Sequence, residues 1–214
     1  MKSEPNIREA ISVIKNGGLV LHPTGGLWGL AADPYNEDAV DRLRLAKWVP
    51  PGPRPFVILI ESGWLSDVCD IEKLPSGMVA RILRLVERFW PGGLTLILPA
   101  SESAPRTVCV NGATGPTIAV RCDDHPAALA LCKGFGKPLI STSSNRTGQD
   151  PPGILEDVDP GIRAAAFVVD SAPPPSGQGS TIVDVCTPVP QIRRSGRVPA
   201  QHVLELLGRP RQNS

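Results

Sequence analysis

No apolar run in the chain approaches the ~20 residues that a membrane-spanning helix needs, which excludes a helical membrane fold. An excess of charge is missing too. The 22 Lys and Arg residues nearly balance the 21 Asp and Glu residues, for a net charge of +1. The global basic signature of a nucleic-acid binder is therefore absent. There is no C-x-x-C pair: Cys69, Cys109, Cys122, Cys132 and Cys186 are scattered and odd in number, and His22, His125 and His202 stand far apart. Neither a structural zinc site nor a disulfide framework is expected. Free thiols point to a reducing compartment, and a cytoplasmic location is expected. The segment up to Asn16 carries Arg8, Glu9 and Lys15 with no apolar stretch between them, so it does not read as a secretory signal.

Hydrophobic residues make up 41% of the 214 positions, ordinary for a globular chain, and one domain over residues 1–214 is expected. The 24 prolines cluster at Pro50-Pro51-Gly52-Pro53, Pro151-Pro152-Gly153 and Pro173-Pro174-Pro175. Each cluster fixes φ and removes backbone donors, which marks a loop; none is long enough for an interdomain linker.

Ile7, Ala10, Ile11 and Ile14 share one helical face, and Gly17-Gly18 stops that helix. Helices are also expected over 37–47 (capped by Asn36), 76–89, 125–133 and 203–207. Apolar runs at 19–21, 56–60, 94–98, 117–121, 138–141, 167–170, 181–185 and 191–193 read as strands. Helices alternate with strands in the first two-thirds, while the later strands follow one another closely. The fold class is therefore α/β, a mostly mixed sheet with flanking helices.

Polar residues gather where strands end, in the segments 22–30, 47–55, 141–148, 179–184 and 193–196. Hydroxyls and an amide in a glycine-terminated loop suit phosphate or carboxylate oxygens. Lys47, Arg54, Arg121 and Arg194 bring positive charge from separate loops or strand ends; arginine suits bidentate contact with oxyanions, lysine a point charge. Several cations and hydroxyls without a nucleophile–base triad suit phosphoryl or adenylyl chemistry run by positioning and charge.

Together these segments resemble the YrdC/TsaC family. Pro23-Thr24-Gly25-Gly26-Leu27-Trp28-Gly29-Leu30 is similar to its opening motif, and Trp90-Pro91-Gly92-Gly93-Leu94-Thr95 to its W-P-G-P segment. Thr117-Ile118-Ala119-Val120-Arg121 resembles its A-V-R strand, and Pro138 to Asn145 its S-T-S-A-N segment. Gly179 to Asp184 and Arg194-Ser195-Gly196 resemble the closing elements. The matches keep the family's order from about Ile7 to Leu207. The resemblance implies a twisted sheet around an open, positively lined cavity. It also implies a threonylcarbamoyl-AMP synthase: threonine, bicarbonate and ATP give threonylcarbamoyl-adenylate and pyrophosphate, with Mg2+ held mainly by phosphates. Partner proteins then transfer the threonylcarbamoyl group to tRNA. The length matches the short type, without a further C-terminal domain. Position by position, the resemblance assigns the threonine side to Arg121, Ser141 and Ser180, and the ATP side to Lys47, Arg54, Thr117, Ser143, Asn145 and Arg194. No protein ligand is assigned to the metal.

The sequence departs from the family in places. The acidic residue and Thr of the opening motif are Gly25 and Gly26, which removes side chains and predicts a mobile loop open to positive φ. The family's K-x-R is Lys47-Trp48-Val49, followed by one extra residue before Arg54-Pro55, and a frequent histidine is Leu59. These changes leave two alternatives: a paralogue adenylating another carbamate, and a weakly catalytic module binding double-stranded RNA or tRNA by shape and phosphate contact. His22 and His125 are read as structural or solvated, Trp28 and Trp90 as packing or pocket wall, and the Arg81, Arg84, Arg88 face as solvated.

Overall fold

The computed structural model describes residues 6–50, 55–113, 115–169, 171 and 173–208. In chain order its elements are α1 (Ile7–Lys15), β1 (Leu19–Pro23), β2 (Trp28–Ala32), α2 (Glu37–Ala46), β3 (Val57–Leu59), α3 (Leu65–Val68), α4 (Ser76–Phe89), β4 (Leu94–Pro99) and β5 (Val110–Gly112), then β6 (Gly115–Arg121), α5 (Pro126–Phe135), β7 (Leu139–Ser143), α6 (Pro160–Ala165), β8 (Ala166–Val168), β9 (Thr181–Asp184), β10 (Gln191–Arg194) and α7 (Ala200–Leu206). Short 3-10 turns join some of them.

Local chemistry accounts for the helix ends. The Asn36 side chain accepts from Ala39 N at 3.1 Å and caps α2. His125 caps α5 through its ring, Pro126 occupies the first turn, and Gly136 closes the helix at φ 77°. Gly17 ends α1 at φ 76°, as its glycine pair predicts.

The strands form one mixed sheet in the order β10-β9-β4-β6-β3-β7-β2-β1-β8, with β5 also paired to β6. β1·β8, β3·β6 and β4·β9 run parallel; the remaining neighbours are antiparallel. Period-two alternation sorts the two faces. Leu21 and Leu30, paired across β1 and β2, join the larger core with Val40 and Leu43 of α2 and Ile82 and Leu85 of α4. Val20 and Ala31, one residue away, face Ala10 and Ile14 of α1 and Leu131 and Phe135 of α5. Helices thus cover both faces, the α/β arrangement expected from the alternating pattern. Among the described residues no helix is long and apolar enough to cross a membrane.

Four elements lie outside the sequence expectation, the four-residue helix α3 among them. β2 falls within the opening motif, where Gly29 and two alanines give little strand signal. β5 is only three residues long, and α6 is a short helix capped by Asp159. The expected strand over 167–170 ends at Val168, and its last position, Asp170, lies outside the described residues.

Candidate active site

A cleft of about 190 Å³ is lined by residues of β2, β3, β6, β7, β9 and β10 and by the loops beside them. In a flat sheet, six strand intervals would hold β10 and β2 ~29 Å apart. One cavity touches both Arg194 on β10 and Gly29 on β2, so the sheet curls around it.

One rim is the loop Thr24–Leu27. Thr24 Oγ1 donates to Leu27 O at 2.7 Å and accepts from the backbone N–H groups of Gly26 and Leu27. Gly177 N donates to Gly26 O at 2.9 Å, and Gly25 N donates to the Asp123 carboxylate at 2.9 Å. The expectation of a mobile, positive-φ glycine pair is corrected here: neither Gly25 nor Gly26 has positive φ, and both are tied down. Space accounts for Gly26, and at Gly25 a side chain would displace an ion pair. A Cβ on Gly25 would stand 1.9 Å from Asp124 Oδ1 and 2.3 Å from Arg197 Nη1, two groups that form a bidentate ion pair. A Cβ on Gly26 would stand 2.5 Å from Gln178 O.

At the floor, Arg121 ends β6 almost fully buried. One guanidinium nitrogen, Nη2, pairs with Asp123, which also accepts from Gly25 N and His125 N. Burial pushes Arg121 down to about 10, against the pull of Asp124, so it stays charged at neutral pH. Its Nε is a buried N–H with no protein partner. Arg194 donates from Nε to Ser180 O at 3.0 Å and from Nη2 to Ser180 Oγ at 3.2 Å. Neighbouring Arg193 turns away and pairs with Asp184. Ser180 Oγ also lies 2.7 Å from Thr95 Oγ1. Ser141 Oγ lies 3.1 Å from His22 Nε2.

At the other end, Ser143 Oγ donates to Asn145 Oδ1, and Asn145 Nδ2 donates to Gln149 O at 2.7 Å. The Lys47 ammonium is buried on two carbonyls, Ser143 O and, at 2.6 Å, Asn145 O. Burial pushes Lys47 down to about 8. Trp48, at φ 52°, holds its ring over the Arg146 guanidinium at 3.5 Å.

Of the residues expected at the site, Arg121, Ser141, Ser143, Ser180 and Arg194 line the cleft together. Asn145 and Lys47 stand behind it, joined to it through Ser143. Thr117 is not among the residues lining the cleft. It pairs with Val110 and Pro99 at the start of β6, four residues from Arg121 and so ~13 Å away along the strand, and its hydroxyl donates to Val110 O. Arg54 lies outside the described residues. The sequence reading assigned nothing to Thr24, Thr142 and Ile182, which also line the cleft, nor to Asp123 beneath it. Leu59, where the family often has histidine, forms apolar wall, as does Trp28.

The buried Arg121, the more exposed Arg194 and several hydroxyls converge on a cleft in a curled mixed α/β sheet, the makings of a protein that binds an anionic small molecule. A model of the Sua5, YciO and YrdC proteins, described as Telomere recombination, matches residues 12–196, and the chain belongs to that family. It is 37% identical over 166 residues to a threonylcarbamoyl-AMP synthase of Xanthomonas campestris, covering 77% of this chain and 84% of that one. It is 32% identical to the synthase of Bacillus subtilis over 96% of its own length, and spans 58% of that longer protein. Among solved structures, Pyrococcus abyssi Sua5 complexed with L-threonine superposes with a TM-score of 0.81 at 30% identity, over 96% of this chain and 58% of that one. Escherichia coli YciO, at 21% identity and a TM-score of 0.74 over 89% of each chain, shares the fold.

Proposed function

We propose that the chain is a threonylcarbamoyl-AMP synthase, a nucleotidyltransferase using L-threonine, bicarbonate and ATP. The observation that carries this reading is the charged Arg121 guanidinium lining the cleft together with Ser141 and Ser180. A guanidinium at the floor of a cleft is a strong partner for a substrate carboxylate. Arg121 holds the threonine carboxylate, with Ser141 and Ser180 beside it. Ser143 and Arg194 face the phosphates, and Asn145 and Lys47 hold the Ser143 segment in shape. The threonine amine combines with bicarbonate to give a carbamate and water. A carbamate oxygen then bonds to the α-phosphorus of ATP as the bond to the β-phosphate oxygen breaks, and pyrophosphate leaves. The protein's part is to fix the reactants and to balance the charge that builds on phosphorus oxygens. Magnesium enters on the triphosphate: the residues lining the cleft include hydroxyls and guanidiniums and no carboxylate. The adenylate is a carrier for transfer to tRNA by other proteins.

The test is product identity. With ATP, magnesium, threonine and 13C-bicarbonate, mass spectrometry is expected to find threonylcarbamoyl-adenylate carrying one 13C. An adenylate lacking the label, or none at all from folded protein, would refute the reading.

A further inference from the structure

His22 is wholly buried, lies behind the cleft wall and has no part in the chemistry above. Its Nδ1 is 3.1 Å from Pro23 O, and a carbonyl oxygen can only accept. Nδ1 therefore carries the proton. Burial holds the ring's pKa down to about 4, only partly offset by that carbonyl, so the imidazole is neutral and Nε2 is a bare acceptor. The partner 3.1 Å from Nε2 is Ser141 Oγ, which must donate its only proton to the ring. What Ser141 offers the cleft is lone pairs. The arrangement has been given room: a Cβ on Gly29 would stand 2.7 Å from Ser141 Oγ and 3.0 Å from His22 Nε2.

Ser180 is wired the other way. Arg194 Nη2 can only donate and fills one lone pair of Ser180 Oγ. Thr95, fully buried, has its hydroxyl against Ser180 Oγ. A proton given by Thr95 satisfies Thr95 and fills the second lone pair. The Ser180 proton is then free for the cleft.

We propose that the two cleft serines are fixed with opposite hydrogen-bond polarity, Ser141 as acceptor through His22 and Ser180 as donor through Thr95 and Arg194. His22 is thereby a positioning residue that orients an α-amino acid, its N–H toward Ser141 and its carboxylate toward Ser180 and Arg121. This rests on the reading of the cleft as an amino-acid site and adds the direction in which the amino acid lies. His22 is not a base for the amine: a group with a pKa near 4 cannot hold a proton taken from an ammonium at neutral pH.

Two measurements on the full chain test the proposal. Long-range 1H–15N spectra of histidine-labelled protein, with His22 assigned by its disappearance in His22→Phe, are expected to show Nδ1 protonated and Nε2 bare at neutral pH. A protonated Nε2 overturns the proposal, whatever the activity. Calorimetry then compares threonine with 3-hydroxybutyrate, which lacks the amine. His22→Phe frees the Ser141 proton, and the preference for threonine is expected to fall by about tenfold, the weight of one hydrogen bond to a charged group. His22→Gln, which can still accept from Ser141, is expected to keep most of it. An unchanged preference in His22→Phe overturns the proposal. If the wild type shows the expected tautomer yet binds no threonine, the substrate reading fails while the serine polarity stands.

Discussion

At the Arg121 end of the cleft, polar groups are braced from behind and open in front. Arg121 is held by Asp123 and lines the cleft, Ser141 is backed by His22, and Ser180 is backed by Thr95 and Arg194. At the Lys47 end, similar groups are spent on the protein itself. The Lys47 ammonium is buried on two carbonyls, the Ser143 and Asn145 side chains bond to each other, and Val49 stands where the family carries an arginine. The same residue types thus do different work: the first end presents its polar groups to the cleft, while at the second Lys47 and Asn145 fix the loop behind Ser143.

The largest effect that would break this contrast comes from Arg121→Ala. Threonine-dependent pyrophosphate release is expected to fall by about a hundredfold or more, with the loss of a charged contact. Asp123, left buried without its partner, costs on the order of 3–5 kcal/mol of stability. Adding Asp123→Asn is expected to recover stability in denaturant titrations without recovering activity. Full loss of activity with no loss of stability would show that Asp123 does not brace the arginine.

Next is pH. The His22 pKa is depressed to about 4, below its ordinary 6.5, so the unfolded chain binds a proton in that window and the native protein does not. The stability this group contributes is full above pH 6.5 and is lost as pH falls toward 4, on the order of 3 kcal/mol. The difference between wild type and His22→Phe, followed by denaturant unfolding across that window, is expected to carry this slope. A flat difference would mean that the ring is not buried neutral.

A smaller effect is expected from Gly29→Ala, whose methyl collides with Ser141 and His22. It is expected to cost about 1–3 kcal/mol and to raise KM for threonine more than KM for ATP. The mildest change sharpens the other end. Val49→Arg puts back the arginine of the family's motif two positions after Lys47 and is expected to lower KM for ATP by up to about tenfold while leaving KM for threonine alone. An equal shift in both constants would undo the division of the cleft into two ends.

Much of this architecture could be read from the chain. Continuous apolar runs marked β1, β4 and β6, and Asn36 and Gly17-Gly18 marked helix ends, because these signals act within a few residues. β2 was illegible: Trp28-Gly29-Leu30-Ala31-Ala32 is buried on both faces and shows neither alternation nor β-branching. Motif order brought Arg121, Ser141, Ser143, Ser180 and Arg194 to one cleft, while Thr117 stands at the other end of the strand that carries Arg121. The reason for Gly25 lay out of reach, since the ion pair that fills its side-chain space comes from Asp124 and Arg197, far along the chain. His22 was passed over for the same cause: its partner Ser141 is 119 positions away.

The most direct test of the account is pyrophosphate release from MgATP, measured complete and with threonine or bicarbonate left out in turn. The account predicts release only when both are present, abolished in Arg121→Ala and retained in Thr117→Val. Release that ignores either omission, or none from folded protein that binds ATP, would contradict it.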